Sequence, residues 1–152
     1  MSSKVKDILR NLIIGSSQSE SYHQHQNPSE CRFQTVKSQT NRIMDRTGAP
    51  PFTWLLCLLY VIFLLNHTFC NAINAVPIQH LRGSTPDISP LLCFYFWREV
   101  YYHHDDSDFS SETTEGHRHF VGIAENLGHS MTFKILTSDT NKIIYRSSVH
   151  SA

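Results

Sequence analysis

LLCFYFWREVYY, residues 91–102, is the stretch whose reading decides the fold. Aromatic and β-branched side chains suit a pleated, half-buried surface, so the run reads as strand. HRHFVGIAE (117–125), MTFKILT (131–137) and KIIYRSSV (142–149) follow with the same character. Asn126-Leu127-Gly128 and Ser138-Asp139-Thr140-Asn141 supply turn chemistry between them. DDSDFSSETTEG (105–116) is an acidic, Ser/Thr-rich loop. Four or five short antiparallel strands in so short a span predict a small barrel.

Upstream the pattern changes. Pro77, Gly83, Pro86 and Pro90 mark residues 70–90 as an extended connector. Before it, PFTWLLCLLYVIFLLNHTFC (51–70) is the most apolar part of the chain, with Thr53 alone polar between Phe52 and Leu65. A run of this length reads as a buried helix over 52–66, since a bilayer span needs about 20 apolar residues. The second reading is a membrane anchor over 52–69, under which the Asn66-His67-Thr68 sequon would matter. Further upstream, Asn27 suits an N-cap, Pro28 the first helical position and Glu30 the third. That capping-box pattern predicts a helix over 28–47, closed by Gly48. Val5, Ile8, Leu9, Leu12 and Ile13 share one face of an expected helix over 4–14. No leader-type apolar run follows Met1.

The 152 residues carry no net charge, but the charge is uneven. Residues 1–46 hold seven Lys/Arg against four Asp/Glu, residues 47–116 two against seven, and residues 117–152 four against two. Mildly basic ends flank an acidic middle, which permits phosphate contacts without a strongly basic footprint. Cys31, Cys57, Cys70 and Cys93 form no CxxC pair, so zinc-ribbon chemistry lacks its ligands and buried free thiols are expected.

Four motifs occur in a telling order. HQNPSECRFQTVK (25–37) has an Asn, a turn residue and a Glu opening a helix. WLLCLLYVIFLLNHT (54–68) opens on Trp and closes on Asn-x-Thr. GSTPDISPLLCFYFW (83–97) runs from Gly-x-x-Pro into Phe-x-Phe-Trp. FVGIAE (120–125) is followed by strands ending in YRSSV. This series resembles the integrase of copia-type retrotransposons, from the end of its RNase H-like core through its SH3-like domain. The resemblance implies an α+β chain. Its parts would be a mainly helical partial core (1–70), a linker (71–90) and an SH3-like β barrel (91–152).

The resemblance also implies roles. Glu30 corresponds to the last carboxylate of an Asp-Asp-Glu triad, a catalytic and metal ligand that would here be vestigial. In the intact family such carboxylates hold Mg2+ or Mn2+, and two metals clamp the attacking and leaving oxygens of an in-line displacement. Met1 lies 29 positions before Glu30, short of the family's second Asp, so the piece is expected to be truncated and to lack both aspartates. One carboxylate does not hold two metals, so the chain is expected to bind none and to be inactive alone. Cys31 stands where the family usually has Arg. Expected contacts to DNA are Gln26, Asn27, Lys37, Arg42, Lys134, Lys142 and Arg146. Arg118 and Tyr145 lie on strands of the same expected barrel. Partners would be DNA and an intact integrase acting in trans, in the nucleus or cytoplasm. The alternatives are the single-pass membrane protein and a domesticated DNA- or protein-binding module using the barrel alone.

One further cluster draws attention. His103, His104, Asp105, Asp106 and Asp108, with His117 and His119 on one strand face, combine metal-ligand types. Their spacing matches no site class, and a polar hairpin loop accounts for them.

Overall fold

The computed structural model describes residues 27–103, 115–125, 127, 131–137 and 141–152. The expected helix over 4–14, the contact residue Gln26 and the run from His104 to Asp108 lie outside the described residues. Chain contacts divide into two units, Met1–Thr35 and Val36–Ala152.

Helix α1, Pro28–Thr47, begins as the sequence predicts. The Asn27 Oδ1 accepts the Ser29 N–H at 3.1 Å, and the Asn27 carbonyl accepts the Cys31 N–H at 3.0 Å. The other half of the capping box is not made: among the described residues no hydrogen bond reaches the Glu30 carboxylate. At the far end Gly48 takes φ +67° and donates its N–H to the Met44 carbonyl at 2.9 Å. That left-handed stop suits glycine because it has no Cβ. Within Val36–Ala152, the buried face of α1 is Val36 and Thr40, with the Thr40 hydroxyl satisfied by the Val36 carbonyl at 2.8 Å.

A short 3-10 turn, Pro51–Thr53, leads into α2, Trp54–His67. The helix thus starts two residues later than expected, because Pro51 opens a tighter turn first. Trp54 Nε1 donates to Asn41 Oδ1 at 3.1 Å, and the Cys57 thiol lies 3.7 Å from the Thr40 carbonyl, tying α2 to α1. Fourteen residues rise about 21 Å, against roughly 30 Å of bilayer hydrocarbon. Among the described residues no helix is long and apolar enough to cross a membrane.

The connector departs from its extended reading. Cys70 and Ala75 pair across a tight turn, and Pro77–Arg82 form a short helix, α3. Pro77 opens it and Gly83, at φ +72°, closes it. Those two residues were helix start and stop signals. A further 3-10 turn, Ser89–Leu92, then shortens the expected first strand to its last part.

Five strands follow: β1 Glu99–His103, β2 Glu115–Ile123, β3 Phe133–Leu136, β4 Ile143–Arg146 and β5 Val149–Ser151. All pairings are antiparallel, in the order β4-β3-β2-β1-β5. The two edge strands are therefore neighbours in sequence, joined only by Ser147 and Ser148. Three Cα steps reach at most about 11 Å. The edges of a flat five-stranded sheet would be roughly 19 Å apart. The sheet must curl strongly, and a register shift between Phe120 and Gly122 supplies a bulge where β2 bends.

The core joins helices to sheet. Tyr60 of α2 meets Phe120 edge-on at 6.0 Å and lies 5.6 Å from Phe96. Phe94 and Phe133 extend the cluster, edge to face at 5.1 Å. Val61 and Cys57 pack into it, with Val100, Tyr102 and Ile135 from the strands. The strands after residue 98 provide the sheet on which the apolar helix packs. The cysteines also differ from expectation: Cys57 is buried, but Cys31 and Cys93 are exposed. Burial pushes the Cys57 thiol up to about 11 and the Tyr60 hydroxyl up to about 12, so neither ionises near neutrality.

Replacing Phe120 with Ala should cost about 3–5 kcal/mol in urea unfolding, since it empties the centre of the cluster. Leu59→Ala, on the exposed side of α2, should cost under about 1 kcal/mol. Similar losses for both would place the core elsewhere.

Candidate functional site

The approach to β1 holds an unusual backbone. Trp97 sits at φ +65°, a conformation that a bulky side chain rarely takes and that costs of order 1–3 kcal/mol. It is held there by two hydrogen bonds to one residue: Trp97 N–H donates to the Phe120 carbonyl and Phe120 N–H donates to the Arg98 carbonyl, each at 2.8 Å. The turn throws the indole onto His119, with the rings stacked at 4.1 Å and 14°.

Neighbouring side chains complete the corner. Arg98 donates to the Tyr95 hydroxyl at 2.9 Å and to the Ala152 carbonyl at 3.1 Å. Its guanidinium lies 5.4 Å from the Tyr95 ring centre, a cation–π distance. Thr47, Tyr95, Trp97, Arg98, Glu99 and His119 line a cleft of about 360 Å3. A second cleft, of about 480 Å3, shares Thr47 and Tyr95 with the first. Ile43, Tyr60, Leu64 and Phe96 form its apolar wall, and the exposed Arg46 stands at it.

From this corner a polar ladder runs across the outward face of the sheet. Cross-strand partners share a face. Glu99 is opposite His119, and Tyr101 is opposite both His117 and His150. Tyr101 stacks on His150 at 5.6 Å and lies 4.9 Å from His117. Glu99 reaches toward His117 at 3.5 Å and His119 at 3.8 Å, and Glu115 toward His150 at 4.0 Å. The expectation that His117 and His119 share one strand face holds. Their neighbour Glu99 completes two imidazoles and a carboxylate, yet no group of three metal-binding side chains is assembled among the described residues.

The His119 imidazole is held below its ordinary 6.5. Desolvation by burial is the largest cause, and the charges of His117 and Arg118 add to it, while Glu99 acts in the opposite sense. The Glu99 contact at 3.8 Å would by itself favour imidazolium, but it is long and solvent-exposed, and desolvation wins.

The residues expected from sequence are scattered. Asn27 is the cap of α1, and Glu30 sits in its first turn. Glu30 offers one carboxylate, and the described residues do not fit a two-metal centre. Lys37 and Arg42 are exposed on α1. Lys134 and Arg146 do not act from one face. Lys134 is opposite Tyr145, whereas Arg146 is opposite Phe133, one residue along each strand and so on the other side. Arg146 is half-buried and donates to the Tyr145 carbonyl at 3.2 Å, and Lys142 lies at the β3–β4 turn. Lys134 and Tyr145 instead line a groove beside α2 with Leu59, Ile62 and Glu125. Tyr95, Trp97 and Arg98 were not singled out from sequence. The signal present was the density of aromatic residues beside an arginine, which also reads as strand.

Compared with known proteins, the chain matches no protein-family model and no curated protein.

Because the folded state disfavours His119 imidazolium, the unfolded chain binds the extra proton in the window just below pH 6.5. Stability therefore rises with pH through that window and falls on acidification. An NMR titration should place the His119 imidazole below 6.5, and Glu99→Gln should move it lower still. A value above 6.5, or an upward move in Glu99→Gln, would show that the carboxylate or another contact dominates.

Proposed function

We propose that this chain is a nucleic-acid-binding piece of copia-integrase type that does not itself join DNA strands. Its β unit is read as an SH3-like barrel, and its helical start as a remnant of an RNase H-like core. The observation that carries the reading is the strand order β4-β3-β2-β1-β5 with a two-residue link between its outer strands. That order curls a small sheet, in keeping with an SH3-like barrel, and it falls where the sequence motifs place that domain. The capped start of α1, with Glu30 in its first turn, agrees with the motif order from the other end.

The cationic contacts divide by element. Lys37 and Arg42 are exposed on α1, and Lys134 and Lys142 lie on or beside β3 and β4. With few cations and no net charge, the expected binding is weak, and it falls as salt rises by roughly one counterion per cation engaged. Glu30 retains at most a structural role at the helix start, where a carboxylate is favoured by the helix dipole. In the intact family the metal ions supply the charge stabilisation of strand transfer.

Two measurements test this. Fluorescence anisotropy should detect DNA binding at low salt that weakens as salt rises, with Lys134→Ala lowering affinity several-fold. A strand-transfer assay with Mg2+ or Mn2+ should yield no joined ends. Joined ends, or binding indifferent to salt, would contradict the proposal.

A further inference from the structure

We infer that the paired clefts at Trp97 hold an unpaired nucleotide, so that the preferred ligand is single-stranded nucleic acid. This rests on the nucleic-acid reading and narrows it to one site and one ligand form.

The two clefts share a wall, Thr47 and Tyr95, and between them offer both surfaces that a nucleotide needs. The larger presents the half-exposed Tyr95 ring at its edge to a base, with Ile43 and Leu64 alongside and the buried Tyr60 and Phe96 behind them. Its volume, about 480 Å3, falls in the ~300–1,000 Å3 range of small-ligand sites. The smaller presents the indole of Trp97, already backed by His119, as a second flat surface.

Cations stand at both clefts. Arg46 is exposed and has no ion-pair partner among the described residues. Arg98 is held in place by the Tyr95 hydroxyl and by the main-chain oxygen of the terminal Ala152, which offsets part of its charge and leaves Arg46 as the freer cation. Glu99 is the opposing charge, and it is turned toward His117 and His119. α1 adds to the field, with Lys37, Arg42 and Arg46 against Asp45 over its part from Val36 onward. An anion beside Arg46 is therefore favoured, as the phosphate of a bound nucleotide would be.

The ring surfaces choose between strand forms. A duplex shows base edges and backbone, while its base faces are covered by their neighbours. A recessed cleft walled by rings is usable only by a base that can leave the stack, which single strands provide at little cost. The strained backbone at Trp97 fits this role, because it turns an indole out of the strand that would otherwise hold it.

The test uses the full chain and a fluorescein-labelled oligothymidylate of about 12 nucleotides, within the usual site size. The same length of duplex is the control. The expected result is at least ten-fold tighter binding to the single strand. Trp97→Gly should lose that preference while leaving duplex affinity unchanged, and glycine accepts the positive φ, so circular dichroism should report an intact fold. Tyr95→Ala, at a half-exposed position, is the independent second variant and should weaken single-strand binding several-fold. Arg46→Gln should lower the salt dependence of single-strand binding by about one counterion. Equal affinity for both DNA forms, or full single-strand binding by Trp97→Gly and Tyr95→Ala, overturns the inference while the broader reading stands. Binding to neither form overturns both.

Discussion

The contact between Tyr60 and the pair Phe96 and Phe120 is the constraint on which the rest depends. Tyr60 comes from an apolar helix, Phe120 from the middle strand of the sheet, and Phe96 from the segment that leads into β1. Three separate stretches thus meet at one ring. Burying aromatic rings of this size contributes more than any hydrogen bond here, on the order of 1.5–3 kcal/mol each. Without the contact, α2 would expose the apolar face it now turns to the sheet, and the sheet would lack a cover over β2.

The same contact builds the clefts. Tyr60 and Phe96 form the back of the larger one, and the main-chain bonds between Phe120 and Trp97–Arg98 fix the corner of the smaller. Packing and binding surface share residues, so the corner is set by the core rather than by a free loop. That is the arrangement in which a strained residue such as Trp97 can persist, since its neighbours over-determine its position.

Much of the fold was legible from local signals. Asn27, Pro28 and Gly48 state where α1 begins and ends, and the structure agrees to the residue. The strands at 117–123, 133–136 and 143–146 follow from aromatic and β-branched composition between turn residues. What escaped was short or non-local. α3 was hidden among prolines, though Pro77 and Gly83 were its own start and stop. The curl of the sheet depends on β5 crossing to the far side of β1, which no local pattern encodes. The separation of Lys134 from Arg146 follows from strand parity, and a list of basic residues ignores it. Trp97 could not be singled out, because its positive φ comes from the Phe120 bonds and not from the Phe-x-Phe-Trp run.

Native-state hydrogen exchange tests the central claim most directly. If Tyr60, Phe96 and Phe120 make α2 and the sheet one cooperative structure, the amides of residues 57–61 and 120–123 should open together. They should show the same exchange free energy and the same dependence on denaturant. Fast exchange across α2 while β2 stays protected would contradict the account, for the helix would then be a passenger on an independently stable sheet.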